Sequence, residues 1–185
     1  MSMNQFYLVD VNVILMTGEY NKHGKLCARV MIGKETILVD STPVQLLDET
    51  LKYIGYDLNG AIVGSKEIIG EKYMCPVMVN PYKGICLFPN KSPQKEDCIW
   101  FNPDHIVNTT SRGYKTEVEL SNGVSIIVDS KLSFFNTKLQ TAFQLKRTAT
   151  QRGNHPNTID FFIIPEKRKP LTKSKNGKYN FGSIA

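Results

Sequence analysis

The stretch YKTEVELSNGVSIIVDSKLSFFNTKLQTAFQLKRTAT, residues 114–150, carries a strand pair and a helix in direct succession. Tyr114–Leu120 and Val124–Val128 alternate apolar and polar residues, the period of a strand with one buried face. Ser121-Asn122-Gly123 separates them, and Asn-Gly is the strongest short hairpin signal because both positions tolerate positive φ. From Ser133 the period changes. Phe135, Leu139, Ala142 and Phe143 fall on one helical face, with Leu145 and Ala149 at its margin. Thr137, Gln140, Thr141, Gln144, Arg147 and Thr148 fall on the other, and Gly153 and Pro156 end the pattern. A hairpin running into an amphipathic helix predicts an α+β fold.

Upstream, Phe6–Met16 reads as a strand, with Tyr7, Val9, Val11, Val13 and Leu15 set against Asp10 and Asn12. Lys25–Ile32 and Glu35–Asp40 form a hairpin about Gly33-Lys34. A helix then starts at Thr42: Pro43 takes the first helical position and Gln45 completes a capping box. Val44, Leu47, Leu51 and Ile54 give its apolar face, and Gly55 stops it. Residues 56–72, with Gly60, Gly64 and Gly70, read as an irregular connection. Pro76–Val79 and Ile85–Phe88 make another hairpin, Asn90–Asp97 is a polar loop, and Cys98–Phe101 is a short strand holding Trp100. The expectation is a single compact domain of largely antiparallel β-hairpins with two amphipathic helices, at about 42–54 and 133–150. That domain spans residues 1–165. The remainder, 166–185, is basic, interrupted by Pro170 and Gly177, and expected to be disordered.

With 185 residues, 41% hydrophobic and 22% charged, the composition is that of a globular protein able to bury a core. No apolar run reaches the ~18–20 residues of a membrane span, and MSMNQFYLVD lacks the pattern of a signal peptide. A cytoplasmic protein without membrane contact is expected. Cys27, Cys75, Cys86 and Cys98 form no C-x-x-C pair, so buried reduced thiols are expected, with neither metal nor cofactor.

The net charge of +6 is unevenly spread. Residues 1–130 carry 12 basic and 15 acidic groups, while residues 131–185 carry 11 and 2. Ser130–Ile159 contains no Asp or Glu at all. A solvated helix face usually shows Glu/Lys pairs at i, i+4, and this helix has none. Arg and Lys neutralise phosphates, and Gln, Asn and Thr both donate and accept hydrogen bonds. Lys138, Gln140, Gln144, Lys146, Arg147 and Arg152 are therefore the expected contacts to double-stranded DNA. Two other classes compete: an RNA- or single-strand-binding protein stacking bases on exposed aromatics, and a protein-interaction module using the Gln/Thr face. An enzyme is not expected. His23, His105 and His155 have no matching nucleophile, and no phosphate-binding loop, serine elbow or zinc-protease motif is present.

Several blocks together resemble the competence transcription factor (ComK) family of Gram-positive bacteria. They are Gly24-Lys25-Leu26-Cys27; the capped helix from Thr42 through Asp48 to Tyr53 and Gly55; and Pro76–Val79 with Leu87-Phe88-Pro89, Ser92, Cys98, Trp100 and His105-Ile106. Ser121-Asn122-Gly123, Ser133-Phe134-Phe135 and Ala142 continue the likeness. The resemblance implies a transcription activator of competence (DNA-uptake) genes, nucleoid-associated, with RNA polymerase as a partner. It also implies recognition of paired A-rich and T-rich boxes, mainly through the minor groove, as dimers or a dimer of dimers. A helix is too wide for a narrow minor groove, so Arg112, Lys115 or Arg152 would insert while the helix rests on the backbone. The resemblance further implies an adaptor of a Clp-type protease as a partner, taken by Phe161, Phe162, Ile163, Ile164 and Pro165. Gly60-Ala61 departs from the family's Gly-Arg, and the lysine-rich C-terminus departs from its apolar one.

Overall fold

A computed structural model describes residues 6–154 and 173–178. The chain divides into two units at Asn154. In the second, residues 173–178 form a tight turn in which the Ser174 N–H donates to the Lys178 carbonyl at 2.7 Å.

The first unit is α+β. Its strands are β1 (Val13–Tyr20), β2 (Leu26–Ile32), β3 (Glu35–Val39), β4 (Val77–Asn80), β5 (Ile85–Pro89), β6 (Ile99–Phe101), β7 (Ile106–Arg112), β8 (Lys115–Leu120) and β9 (Ser125–Val128). Its helices are α1 (Pro43–Tyr53), α2 (Leu58–Ile69) and α3 (Leu132–Asn154). Every strand pair is antiparallel. Six strands form one sheet in the order β3-β2-β1-β6-β5-β4, and β7-β8-β9 form a second.

The larger sheet is buried on both faces, so its inner strands are continuously apolar rather than alternating. Ile85 and Leu87 of β5 belong to one core, with Leu46, Leu47 and Leu51 of α1. Cys86 and Phe88 belong to the other, with Phe135, Ala142 and Leu145 of α3 and Val118, Leu120 and Val128 of the small sheet. In β1 a register shift between Val13 and Leu15 sends Ile14 and Leu15 together into the second core.

The capping box forms as expected. The Gln45 N–H donates to Thr42 Oγ1 at 3.3 Å, and the Thr42 N–H donates to Gln45 Oε1 at 2.9 Å. Two expectations need correction, and one strand lies where the sequence offered no reading. The connection at 56–72 contains α2, because its glycines sit inside a well-capped helix. Asp57 Oδ1 accepts the Gly60 N–H at 2.8 Å, Asp48 Oδ1 accepts the Leu58 N–H at 3.0 Å, and Gly70, at φ 82°, ends the helix. There are thus three helices in the described residues, not two. The first strand starts at Val13 rather than Phe6, since Asp10 Oδ1 takes the Asn12 N–H at 2.8 Å in a side-chain turn. Val9 is still buried, its N–H donating to Thr50 Oγ1 at 3.1 Å. Finally, Ile106–Arg112 is a strand whose polar, mostly exposed residues lack any alternation.

Candidate nucleic-acid interface

Helix α3 is held by an aromatic cluster. Phe135 is fully buried, 5.4 Å from Phe101 in an edge-on contact and 5.8 Å from Phe88, centroid to centroid. Two and nearly three turns further on, Ala142 and Leu145 are buried in the same core, and Cys86 Sγ donates to the Ala142 carbonyl at 3.8 Å. Burial pushes the Cys86 thiol up to about 12, so it stays protonated there. The helix extends to Asn154, past the expected stop near Thr150. Its docked arc is also rotated from the expected one. Thr141 is buried, its hydroxyl satisfied by the Thr137 carbonyl at 2.8 Å, whereas Phe143 is 43% exposed. Thr141 flanks Leu145 on the helix surface, so the buried arc runs from Phe135 and Ala142 past Leu145 to Thr141 and leaves Phe143 outside it.

The opposite face keeps its acid-free character. Gln140, Gln144, Arg147 and Gln151, spaced 4-3-4, lie along an open groove of about 590 Å³ that Phe143 and Thr150 also line. Gln140, Gln144, Arg147, Gln151 and Arg152 are all exposed. Arg147 and Arg152 make no ion pair with any described residue. Lys146 reaches the groove too, in an ion pair with Asp104 of the 3-10 turn Pro103–His105. Gln151 was not among the sequence candidates, although its 11-residue spacing from Gln140 marks the same face.

The other candidates lie elsewhere. Lys138 points inward: its ammonium donates to the Asn90 carbonyl and lies 3.8 Å from Met74 Sδ. Burial holds its pKa below the ordinary lysine value. Arg112 and Lys115 flank the β7–β8 turn and are engaged by carboxylates. Arg112 Nε donates to Glu117 Oε2 at 2.7 Å, and Lys115 lies 3.4 Å from Asp129. Beside them Tyr114 is 80% exposed, with the Lys131 ammonium 5.1 Å from its ring centre. Phe161–Pro165 lies outside the described residues.

Three further features bear on chemistry. His105 is a structural tie: Nδ1 lies 2.7 Å from Ser121 Oγ and Nε2 lies 2.8 Å from the Val11 carbonyl. All four cysteines are buried free thiols. Among the described residues, no group of three or more His, Cys, Asp or Glu could hold a metal ion.

Together these features define an α+β domain that presents one carboxylate-poor helix face and one basic hairpin turn. The chain belongs to the ComK protein family, whose family model matches residues 4–154. Over 149 residues it is 24% identical to the competence transcription factor of Bacillus subtilis (strain 168), covering 79% of this chain and 78% of that protein. No solved structure matches the chain.

Proposed function

We propose that this chain is a transcription activator of competence genes that binds double-stranded DNA through the outer face of α3. The observation that carries the reading is the stripe Gln140–Gln144–Arg147–Gln151. It is exposed, amide-rich and free of carboxylates, and Arg147 and the nearby Arg152 make no ion pair with any described residue. Amide side chains can meet phosphate oxygens and base edges alike, and the unpaired guanidinium groups can displace counterions. Membership of the ComK family and the name of the Bacillus subtilis relative support the same function.

In finer detail, the protein works in the cytoplasm at the nucleoid and recognises paired A/T-rich boxes as associating dimers. It contacts RNA polymerase and, through Phe161–Pro165, an adaptor of a Clp-type protease. A/T tracts narrow the minor groove and deepen its negative potential, which favours a basic side chain on a slim support. Arg112 and Lys115 on the β7–β8 turn, or Arg152 near the end of α3, suit that insertion better than the body of a helix. Insertion of Arg112 or Lys115 would exchange Glu117 or Asp129 for phosphate.

The test is a gel-shift titration with an A/T-rich duplex over a salt series. Each of Arg147→Gln and Arg152→Gln should make the plot of log K against log[salt] shallower by about 0.9, one phosphate contact. An unchanged slope in both variants refutes the α3 interface. Displacement of the duplex by single-stranded competitor would instead indicate a single-strand binder. Absence of binding to either would leave the Gln/Thr face as a protein interface. A footprint repeated with a minor-groove blocker tests groove choice, and Phe161→Ala with Phe162→Ala in an adaptor-binding assay tests the C-terminal element.

A further inference from the structure

The groove beside α3 has a single carboxylate among its described lining residues, Asp104. It sits opposite the basic face rather than on it, and it is mounted firmly. Asn102, 2% exposed, ties the preceding backbone to β1: its N–H donates to the Ile14 carbonyl at 3.0 Å and its Nδ2 to the Val13 carbonyl at 3.0 Å. Asn102 Oδ1 accepts the Asp104 N–H at 3.1 Å, Pro103 is buried, and both ring nitrogens of His105 are engaged. Asp104 is thus a carboxylate fixed to the core whose position does not depend on its partner. That partner is Lys146, whose side chain is 26% exposed against 44% for Asp104. Both can still be reached from solvent.

We infer that Asp104 is an affinity-limiting residue: it occupies Lys146 in place of a phosphate and thereby holds down binding to every duplex, so that only a duplex making further contacts is retained. The inference rests on the proposed DNA interface of α3. A phosphate that approaches the groove must displace the carboxylate from Lys146 and then lie beside a fixed negative charge. Phosphate contacts carry affinity but no sequence information. Withholding one of them costs every duplex the same counterion-release gain. A target site that also engages the Gln140–Gln144–Arg147–Gln151 stripe has other contacts to offset the loss, whereas a random site does not.

The magnitude follows from the salt dependence. A contact contributing a slope of about 0.9 is worth about eightfold in affinity at 0.1 M relative to 1 M salt. Asp104→Asn keeps the shape and the backbone turn while releasing Lys146. The variant should bind a random-sequence duplex up to about eightfold more tightly at 0.1 M salt. Its salt slope should steepen by about 0.9, and its affinity for an A/T-rich box should rise by a similar factor. On a Lys146→Gln background the same substitution should give a clearly smaller gain and leave the slope unchanged, because only the repulsion by the carboxylate is then removed and there is no ammonium left to release. Asp104→Ser serves as a second variant should the amide perturb folding, with the urea midpoint of each compared to the parent protein.

Unchanged affinity and slope in Asp104→Asn, or a gain and a steeper slope that persist in full on the Lys146→Gln background, overturns the inference. So does a fall in affinity at an unaltered urea midpoint. The parent reading fails separately: if the unmodified protein binds no duplex, or if Arg147→Gln and Arg152→Gln leave its slope intact, the α3 interface is wrong and this inference falls with it.

Discussion

Phe135 is the residue on which the position of α3 depends most directly, and replacing it by Ala makes a demanding test of the architecture. Its ring is fully buried and touches both Phe88 and Phe101, which come from adjacent strands of the large sheet. Removing a buried phenyl ring costs about 3–5 kcal/mol in transfer free energy and cavity formation. The two ring–ring contacts, each worth about 0.5–1.5 kcal/mol beyond area, argue for the upper half of that range. With a urea dependence of about 2 kcal/mol/M, a loss of about 4 kcal/mol lowers the unfolding midpoint by about 2 M. That is a large share of the ~5–15 kcal/mol a domain of this kind possesses. Phe135→Leu keeps most of the volume and should cost less than about 1.5 kcal/mol. Urea unfolding followed by far-UV circular dichroism measures both variants. A midpoint shift below about 0.5 M for Phe135→Ala, at an unchanged slope, would mean that the cluster does not anchor α3.

Gly18→Ala should destabilise the large sheet by more than about 2 kcal/mol, read as a lower urea midpoint, because overpacked sites must shift backbone. A Cβ built at Gly18 lies only 2.2 Å from the Glu96 carbonyl oxygen, and Gly18 is in the middle of β1. Acid sensitivity follows from three carboxylates, Asp48 half-buried and Glu19 and Asp97 exposed. A hydrogen bond from Lys52, seconded by the Leu58 N–H, holds Asp48 below its ordinary 3.8; hydrogen bonds from Arg29 and Lys91 do the same for Glu19 and Asp97. Folded values below unfolded ones give stability that is complete above the unfolded value and is lost as pH falls through the folded one. The urea midpoint should therefore be level from neutral pH down to about 5 and decline below about 4. Asp48→Asn should flatten part of that decline.

How far the fold could be read from residues depended on whether local chemistry and tertiary packing agreed. At Thr42–Gln45 they agree completely, because a capping box is a local device. At Asn122-Gly123 they agree again, with Gly123 at φ 83° in the hairpin turn. Helix α2 was hidden because Gly60 and Gly64 read as breakers, while its start depends on Asp48, ten residues upstream, as well as on its own cap. Strand β7 was hidden because its faces do not separate by polarity: Asn108, Thr110 and Arg112 pair with residues on the exposed side of β8, and few of its residues are covered. The site divides in the same way. Composition alone isolates the acid-free face of α3. What no local pattern shows is which cations are already taken. Lys146 meets a carboxylate 42 positions away, and Lys138 a carbonyl 48 positions away.

Strand β5 is part of a wall that both cores share. Ile85 and Leu87 face the helix α1 side, while Cys86 and Phe88 face α3, so consecutive residues answer to opposite halves of the domain. A strand so placed cannot shift for one neighbour without shifting for the other, since packed interiors transmit displacement rather than absorb it. Trimming Leu87 to loosen α1 would therefore also move Phe88, the ring beneath Phe135, and with it the helix that carries Arg147. The α3 face proposed to meet DNA and the far side of the sheet are mechanically in series. Evolution of either face is constrained by the other, and a variant selected for tighter binding will have its compensating substitutions behind the sheet as often as beside the groove.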